Sequence, residues 1–139
     1  MKVYKFGGAS VKNADGVRNL LNIVSGEQEL FIIVSAMGKT TNALEGVFAA
    51  MQQGDEALAL SRVDESYAYH RAIIDDLMGA DITIEQVDTL FEQLRNIVRN
   101  TIYRASDAEL WYDTIVAFGE LVSTTIISNY LNAHGVANK

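Results

Sequence analysis

Apolar residues change their spacing twice near the start of this chain and then settle into one rhythm. Lys2-Val3-Tyr4-Lys5-Phe6 and Leu30-Phe31-Ile32-Ile33-Val34 are short, rich in β-branched and aromatic residues, and stopped by Gly7-Gly8 and Ser35. Both read as strands. The second is apolar without alternation, the pattern of a strand covered on both faces within a parallel sheet. Between them Val17, Leu20, Leu21 and Val24 recur at i, i+3, i+4 and i+7, with Gly26 placed to end the helix. Strand, helix and strand of this size predict a βαβ unit with a right-handed crossover.

Everything after the second strand carries the helical period. Leu44, Val47, Phe48 and Met51 mark a helix starting near Thr40 or Thr41, either of which can cap it. Val63, Tyr67, His70, Ile74 and Leu77 mark the next, ending at Gly79. Thr83 and Gln86 form the pattern of a capping box ahead of Val87, Leu90, Phe91, Leu94, Ile97, Val98 and Thr101, and Ser106 with Glu109 form a second. A last helix is predicted from about Gly119 to His134, burying Leu121, Val122, Thr125, Ile126, Asn129 and Tyr130 and ending at Gly135; the sequence leaves open whether Phe118-Gly119 breaks two helices or bends one. The expected fold class is therefore a helix-rich α/β domain with a parallel sheet.

Two short strands do not make a stable sheet, and an apolar central strand needs neighbours on both edges. The chain stops at Val136-Ala137-Asn138-Lys139, just after a helix end, where a further strand would normally begin. We therefore expect part of a larger α/β sheet, a truncated domain. Its 139 residues contain no proline, no linker-like tract and no repeat, and the one mild break is Met78 to Asp81. They read as one domain.

Composition narrows the function classes. Eighteen acidic against eleven basic residues give a net charge of −7, the wrong sign for a phosphate-backbone binder, so nucleic acid is not an expected partner. No continuous apolar run approaches the roughly 18 residues of a membrane span, and the start has no secretory h-region. There is no cysteine, which removes disulfides, thiolate catalysis and zinc–cysteine sites and leaves the cytoplasm as the expected compartment.

Three motifs could carry chemistry. Lys5-Phe6-Gly7-Gly8-Ala9-Ser10-Val11 lies at the carboxyl end of the first strand, where open α/β sheets bind ligands. Paired glycines let backbone N–H groups approach a phosphate, and Lys5 adds a full charge. A strand-ending turn with a solvated lysine would look the same. Ser35-Ala36-Met37-Gly38-Lys39-Thr40-Thr41-Asn42 follows the second strand. It fails as a P-loop, because the position needing glycine is Ile33, but hydroxyls at a helix start suit anions. The plain alternative is helix capping by Thr40 or Thr41. Phe118-Gly119-Glu120-Leu121-Val122-Ser123 sets Glu120 and Ser123 three apart, on one helix face, though a carboxylate there could merely complement the helix dipole. Two anion-favouring loops at one edge of one sheet strengthen each other.

KFGGASV, VSAMGKTTN and FGELVST, in that order and at these intervals, resemble the N-terminal part of aspartate kinases in the amino-acid kinase family. The likeness covers essentially the whole chain, although the helical stretch from Met51 to Asp107 contributes no motif. It implies ATP-dependent phosphorylation of the side-chain carboxylate of L-aspartate to 4-phospho-aspartate, the first step of lysine, threonine and methionine biosynthesis. Lys5, Phe6, Gly7 and Gly8 would lie along the ATP phosphates with Ser10 close by, and Lys5 would be catalytic. Ser35 and Thr41 would hold the aspartate, Glu120 its α-amino group, with Ser123 beside it. Mg²⁺ is implied as a cofactor, with no metal ligand assigned among these residues, and a homo-oligomer, a dimer, as the assembly. Ala9 departs from the family's usual threonine or serine. By the same likeness the nucleotide-binding half and the regulatory domains belong to sequence not present here, so the fragment alone is expected to be inactive. Another carboxylate or carbamate kinase of the same fold is the alternative enzyme. A self-associating helical module is the alternative from another class.

Some residues tempt without a pattern behind them. His70 on an apolar helix face and His134 beside a glycine have no partner ligand and read as structural. Asp75-Asp76 points its side chains apart and reads as a solvated face. Trp111 and Tyr112 suit a core or an interface equally.

Overall fold

The computed structural model covers Met1–Lys139. It contains β1 (Lys2–Phe6), α1 (Ala14–Val24), β2 (Leu30–Val34), α2 (Thr40–Gln52), α3 (Glu56–Met78), α4 (Glu85–Asn100), a single 3₁₀ turn (Ala105–Asp107) and α5 (Ala108–Ala133). The helix-rich α/β class is the one expected, and both strands have the bounds read from the sequence. The strands pair in parallel, with Lys2 opposite Leu30 and Phe6 opposite Val34, and form the whole sheet.

Helix α1 begins where the Asn13 side chain accepts a hydrogen bond from the Gly16 N–H at 2.9 Å, and Asp55 does the same for Leu58 at 3.0 Å ahead of α3. Gly26 and Gly79, at φ +86° and +100°, lie just past the ends of α1 and α3, in a conformation a β-carbon disfavours. The predicted capping boxes do not form. α4 starts at Glu85 behind Ile84, which is buried and offers no side-chain cap, so Thr83 and Gln86 stand one residue out of phase. Ser106 falls inside the 3₁₀ turn, and α5 follows directly with no side-chain cap. Thr40 and Thr41 do not cap α2 either: the residue ahead of the helix is Lys39, and the Thr40 hydroxyl donates to the Met37 carbonyl at 2.6 Å.

Helices α2 to α5 pack side by side, α2 against α3 and α5, and α4 against α3 and α5. Leu44, Val63, Ile74, Leu94, Ile115 and Ile126 fill the space between them. The sheet lies on this layer by one face only. Phe6 is buried and Tyr4, Ile32 and Val34 pack against the core, while Val3, Phe31 and Ile33 are 60, 56 and 42% exposed. Coverage of β2 on both faces is thus not found: every helix of this chain lies on one side, and the other face is open. Asp75 and Asp76 are also not a free solvated pair. They do diverge, but Asp75 meets Arg71 on the same helix at 2.6 Å and Asp76 meets Arg18 of α1 at 2.7 Å. Tyr112 packs edge-on to Phe48 with ring centroids 5.6 Å apart, and Trp111 is half-buried at the core's edge.

Helix α5 has the length and average apolarity of a membrane span, despite containing no unbroken apolar run. Half of that stretch is buried against the other helices, which accounts for its composition as that of a core helix.

Candidate functional site

Parallel pairing in register brings both strands to the same level, so the segments that follow leave side by side. Loop 1 (residues 7–13) and loop 2 (residues 35–39) are then stitched by backbone: the Ser35 N–H donates to the Phe6 carbonyl and the Gly38 N–H to the Gly8 carbonyl, both at 3.0 Å. A β-carbon on Gly8 would stand 2.9 Å from the carbonyl oxygens of Ala36 and Gly38, so only glycine allows the loops this close. Gly38 is at φ +56°. Gly7 has open space before it, and the N–H groups of Gly7, Gly8 and Ala9 have no backbone acceptor. Free amides in a glycine turn form a cradle for an anion.

Three of the six cationic side chains without a carboxylate partner lie at this edge, and Arg62, Arg104 and Lys139 are the other three. Lys2, Arg18, Arg71, Arg95 and Arg99 are all neutralised by carboxylates within 4 Å. Lys5, Lys12 and Lys39, at the end of β1 and on the two loops, have no such partner and are exposed. Lys12 and Lys39 line a cleft of about 470 Å³ between the loops, with Ala9, Asn13, Gly38 and Tyr69. Neither loop contains a carboxylate, and no three His, Asp or Glu side chains converge anywhere in the chain. This donor set fits a phosphate group and does not fit Mg²⁺, which takes oxygen ligands.

The remaining site residues are placed unevenly. Ser10 is exposed in loop 1 and donates its N–H to the Gly7 carbonyl at 3.0 Å. The Phe6 side chain points into the core, so only its backbone can face a ligand. Lys5 extends from the open face of the sheet, its backbone level with Ile33. Ser35 is half-buried and Thr41 exposed in the first turn of α2. Helix α5 is continuous through Phe118-Gly119, so its predicted start at Gly119 is 11 residues late. Gly119 is instead a contact point. A β-carbon there would lie 2.9 Å from the Ala36 β-carbon and 3.3 Å from both Thr40 Cγ2 and Leu44 Cδ1, so α5 presses directly on loop 2. Glu120, the next residue, is exposed. Ser123 does not share its surroundings: it is wholly buried, and its hydroxyl has no hydrogen-bond partner. Leu121, expected in the core, is 50% exposed.

Beneath loop 2 lies His70, 1% exposed as its structural reading requires. Its Nδ1 is 2.7 Å from the Ser66 carbonyl, so Nδ1 carries the proton of the neutral ring, and Nε2 faces Thr40 Oγ1 at 3.4 Å. Burial pushes its pKa below the ordinary histidine value. Tyr69, its neighbour, touches both loops and was not legible in the sequence, because its partners are 57 and 31 residues away.

This arrangement matches known proteins. The amino acid kinase family's profile matches residues 1–139. Among curated relatives, aspartokinase 1 of Arabidopsis thaliana chloroplasts is 30% identical over 96% of this chain and 24% of its own length. Lysine-sensitive aspartokinase 3 of Escherichia coli is 25% identical over 96% of this chain and 29% of its own length. The chain thus spans about a quarter of the length of such relatives. Crystal structures of the E. coli aspartokinase III show the same fold: the complex with lysine and aspartate superposes with TM-score 0.80 over 98% of this chain and 30% of that one, at 24% identity. Its complex with aspartate and ADP gives 0.79 over 97% and 29%, again at 24% identity. No part of the 139 residues falls outside the family match, and the chain belongs to the amino acid kinase family.

Proposed function

We propose that this chain is the N-terminal, substrate-binding part of an aspartate kinase, a phosphotransferase acting on the side-chain carboxylate of L-aspartate. The observation that carries this reading is the pair of stitched loops, whose free amides and unpaired lysines gather positive potential at one sheet edge of a chain with net charge −7. The relatives' names point to the same activity. Such a reaction asks little covalent chemistry of the protein. The attacking carboxylate is already ionised at neutral pH, so no general base is required, and positioning two anions and offsetting their charge is the main task.

In this reading ATP supplies the phosphoryl group when bound, and Lys5, the backbone of Phe6, Gly7 and Gly8, and Ser10 lie along its phosphates. Ser35 and Thr41 hold the aspartate, and exposed Glu120 pairs with its ammonium, which selects an amino acid over a plain dicarboxylate. Ser123, enclosed by the core, supports the α5 wall and does not touch substrate. These residues offer no ligand set for Mg²⁺. The nucleotide-binding half and regulatory domains belong to the rest of the parent protein, the cytoplasm is its compartment, and the 139 residues alone are expected to turn over little or no substrate.

A residue-resolved NMR titration with L-aspartate, and with L-glutamate as control, tests this directly. Saturable shifts confined to residues 35–41 and Glu120, with aspartate only, are the expected result. Equal shifts with both amino acids would favour another carboxylate kinase of the family, and a well-dispersed spectrum that does not move would remove the preformed aspartate site. One observation favours a second role, self-association into a dimer: the open sheet face exposes Val3, Phe31 and Ile33 together.

A further inference from the structure

Helix α3 contributes no motif, yet one of its side chains, Tyr69, reaches both loops. Its register is anchored by His70, sealed in the core against Ser66, Thr40 and Phe91. With His70 fixed inward, Tyr69 stands at the helix edge and crosses toward the sheet. The Tyr69 hydroxyl donates a hydrogen bond to the Lys12 carbonyl of loop 1. The same hydroxyl occupies the space that Gly38 of loop 2 leaves free, since a β-carbon there would come within 2.5 Å of it. The ring forms a shared wall of two clefts. One is the 470 Å³ cleft with Ala9, Lys12 and Lys39, and the other, about 210 Å³, is lined by Lys39, Thr40, Ala43, Glu65 and Ser66.

We propose that Tyr69 is a positioning residue: it ties loop 1 to loop 2 from the helical layer and so sets the spacing of the anion-facing amides and lysines. The two loops already share the bond from the Gly38 N–H to the Gly8 carbonyl, but both ends of that bond are backbone in glycine segments, which hold no shape alone. A phenol on a rigid helix supplies the missing reference. Its ring has few rotatable bonds, so little freedom is lost in fixing it. Partial burial raises its pKa, which keeps it a neutral donor across the physiological range. The functional half of this inference rests on the reading of the site given above.

Tyr69→Phe in the whole chain keeps the ring and deletes the donor. Amide hydrogen exchange at Ser10, Val11 and Gly38 is expected to accelerate about five- to tenfold, the factor that one net hydrogen bond corresponds to, while amides in α4 and α5 keep their rates. Where the wild-type chain binds L-aspartate, its dissociation constant should rise by a similar factor although global stability, read from α4 and α5, is unchanged. Unaltered exchange in both loops would overturn the proposal. Faster loops with unaltered aspartate affinity would overturn its functional half, leaving Tyr69 a structural brace. A wild-type chain silent to aspartate would remove the aspartate site, and loop exchange alone would then decide for or against Tyr69.

Discussion

Strand β2 and helix α5 are the two most apolar parts of the chain, and they end in opposite circumstances. α5 buries Ile115, Phe118, Val122, Ile126, Ile127, Tyr130 and Leu131, two of them with no exposed surface. β2 alternates between half-buried and exposed, with Phe31 and Ile33 open to solvent. Helices α2 to α4 account for the apolarity of α5. Nothing in these 139 residues accounts for the outer side of β2. Stability and function are therefore drawn from different places: the helical layer supplies the cohesion, and the loops of the candidate site hang from a thin sheet that borrows it through Gly119, Thr40 and Tyr69.

The sharpest way to break this contrast is to remove a methylene cluster from each side. Ile126→Ala deletes a fully buried α5 side chain of the hydrophobic core, and is expected to cost about 2–5 kcal/mol, enough to threaten a domain of ordinary stability. Urea denaturation followed by circular dichroism measures it. A loss under about 1 kcal/mol would mean that the helical layer is not the source of cohesion.

Gly119→Ala probes the seam between the regions. In an open helix interior that change usually stabilises, by about 1 kcal/mol. Here the new β-carbon meets the Ala36 β-carbon at 2.9 Å and, at 3.3 Å, both Thr40 and Leu44, so a loss of about 1–3 kcal/mol is expected instead. The amides of residues 35–39 should shift with it. A gain in melting temperature would show that α5 does not bear on loop 2.

The same seam explains what the sequence did and did not disclose. Periodicity located β1, β2 and the ends of α1 and α3, because those limits are set locally by strand pattern, glycine and burial. It also located both loops, since Gly7-Gly8 and the hydroxyl-rich stretch after Val34 are local features at strand ends. Gly119 misled: as a helix breaker it suggested a start, whereas its real constraint is a contact with Ala36, 83 residues earlier. Capping patterns at Thr83 and Ser106 failed because buried Ile84 and the 3₁₀ turn fixed the helix starts ahead of any side-chain cap. Spacing put Ser123 on the Glu120 face, but helix residues three apart are still about 60° apart in rotation, enough to carry Ser123 into the core. Tyr69 has no local signal at all. Its meaning exists only once α3 is folded across the loops.

The smallest effect belongs to the open face, and its smallness is the point. Ile33→Thr keeps the β-branched shape that a strand favours and exchanges a methyl-bearing arm for a hydroxyl at a position 42% exposed, opposite Lys5. With the outer face open to solvent and Ile33 outside the buried core, unfolding free energy should move by no more than about 0.5 kcal/mol, roughly a tenth of the largest value expected for Ile126→Ala. Dye binding to exposed apolar surface should fall at the same time, because Ile33 is part of the patch with Val3 and Phe31. A cost above 1 kcal/mol would mean that the outer face is covered in solution, by a second copy of the chain, and the effect would then weaken on dilution, since stability gained through association depends on concentration. A small, concentration-independent effect leaves the contrast intact: an apolar strand whose outer face adds far less to the stability of this chain than the helical layer does.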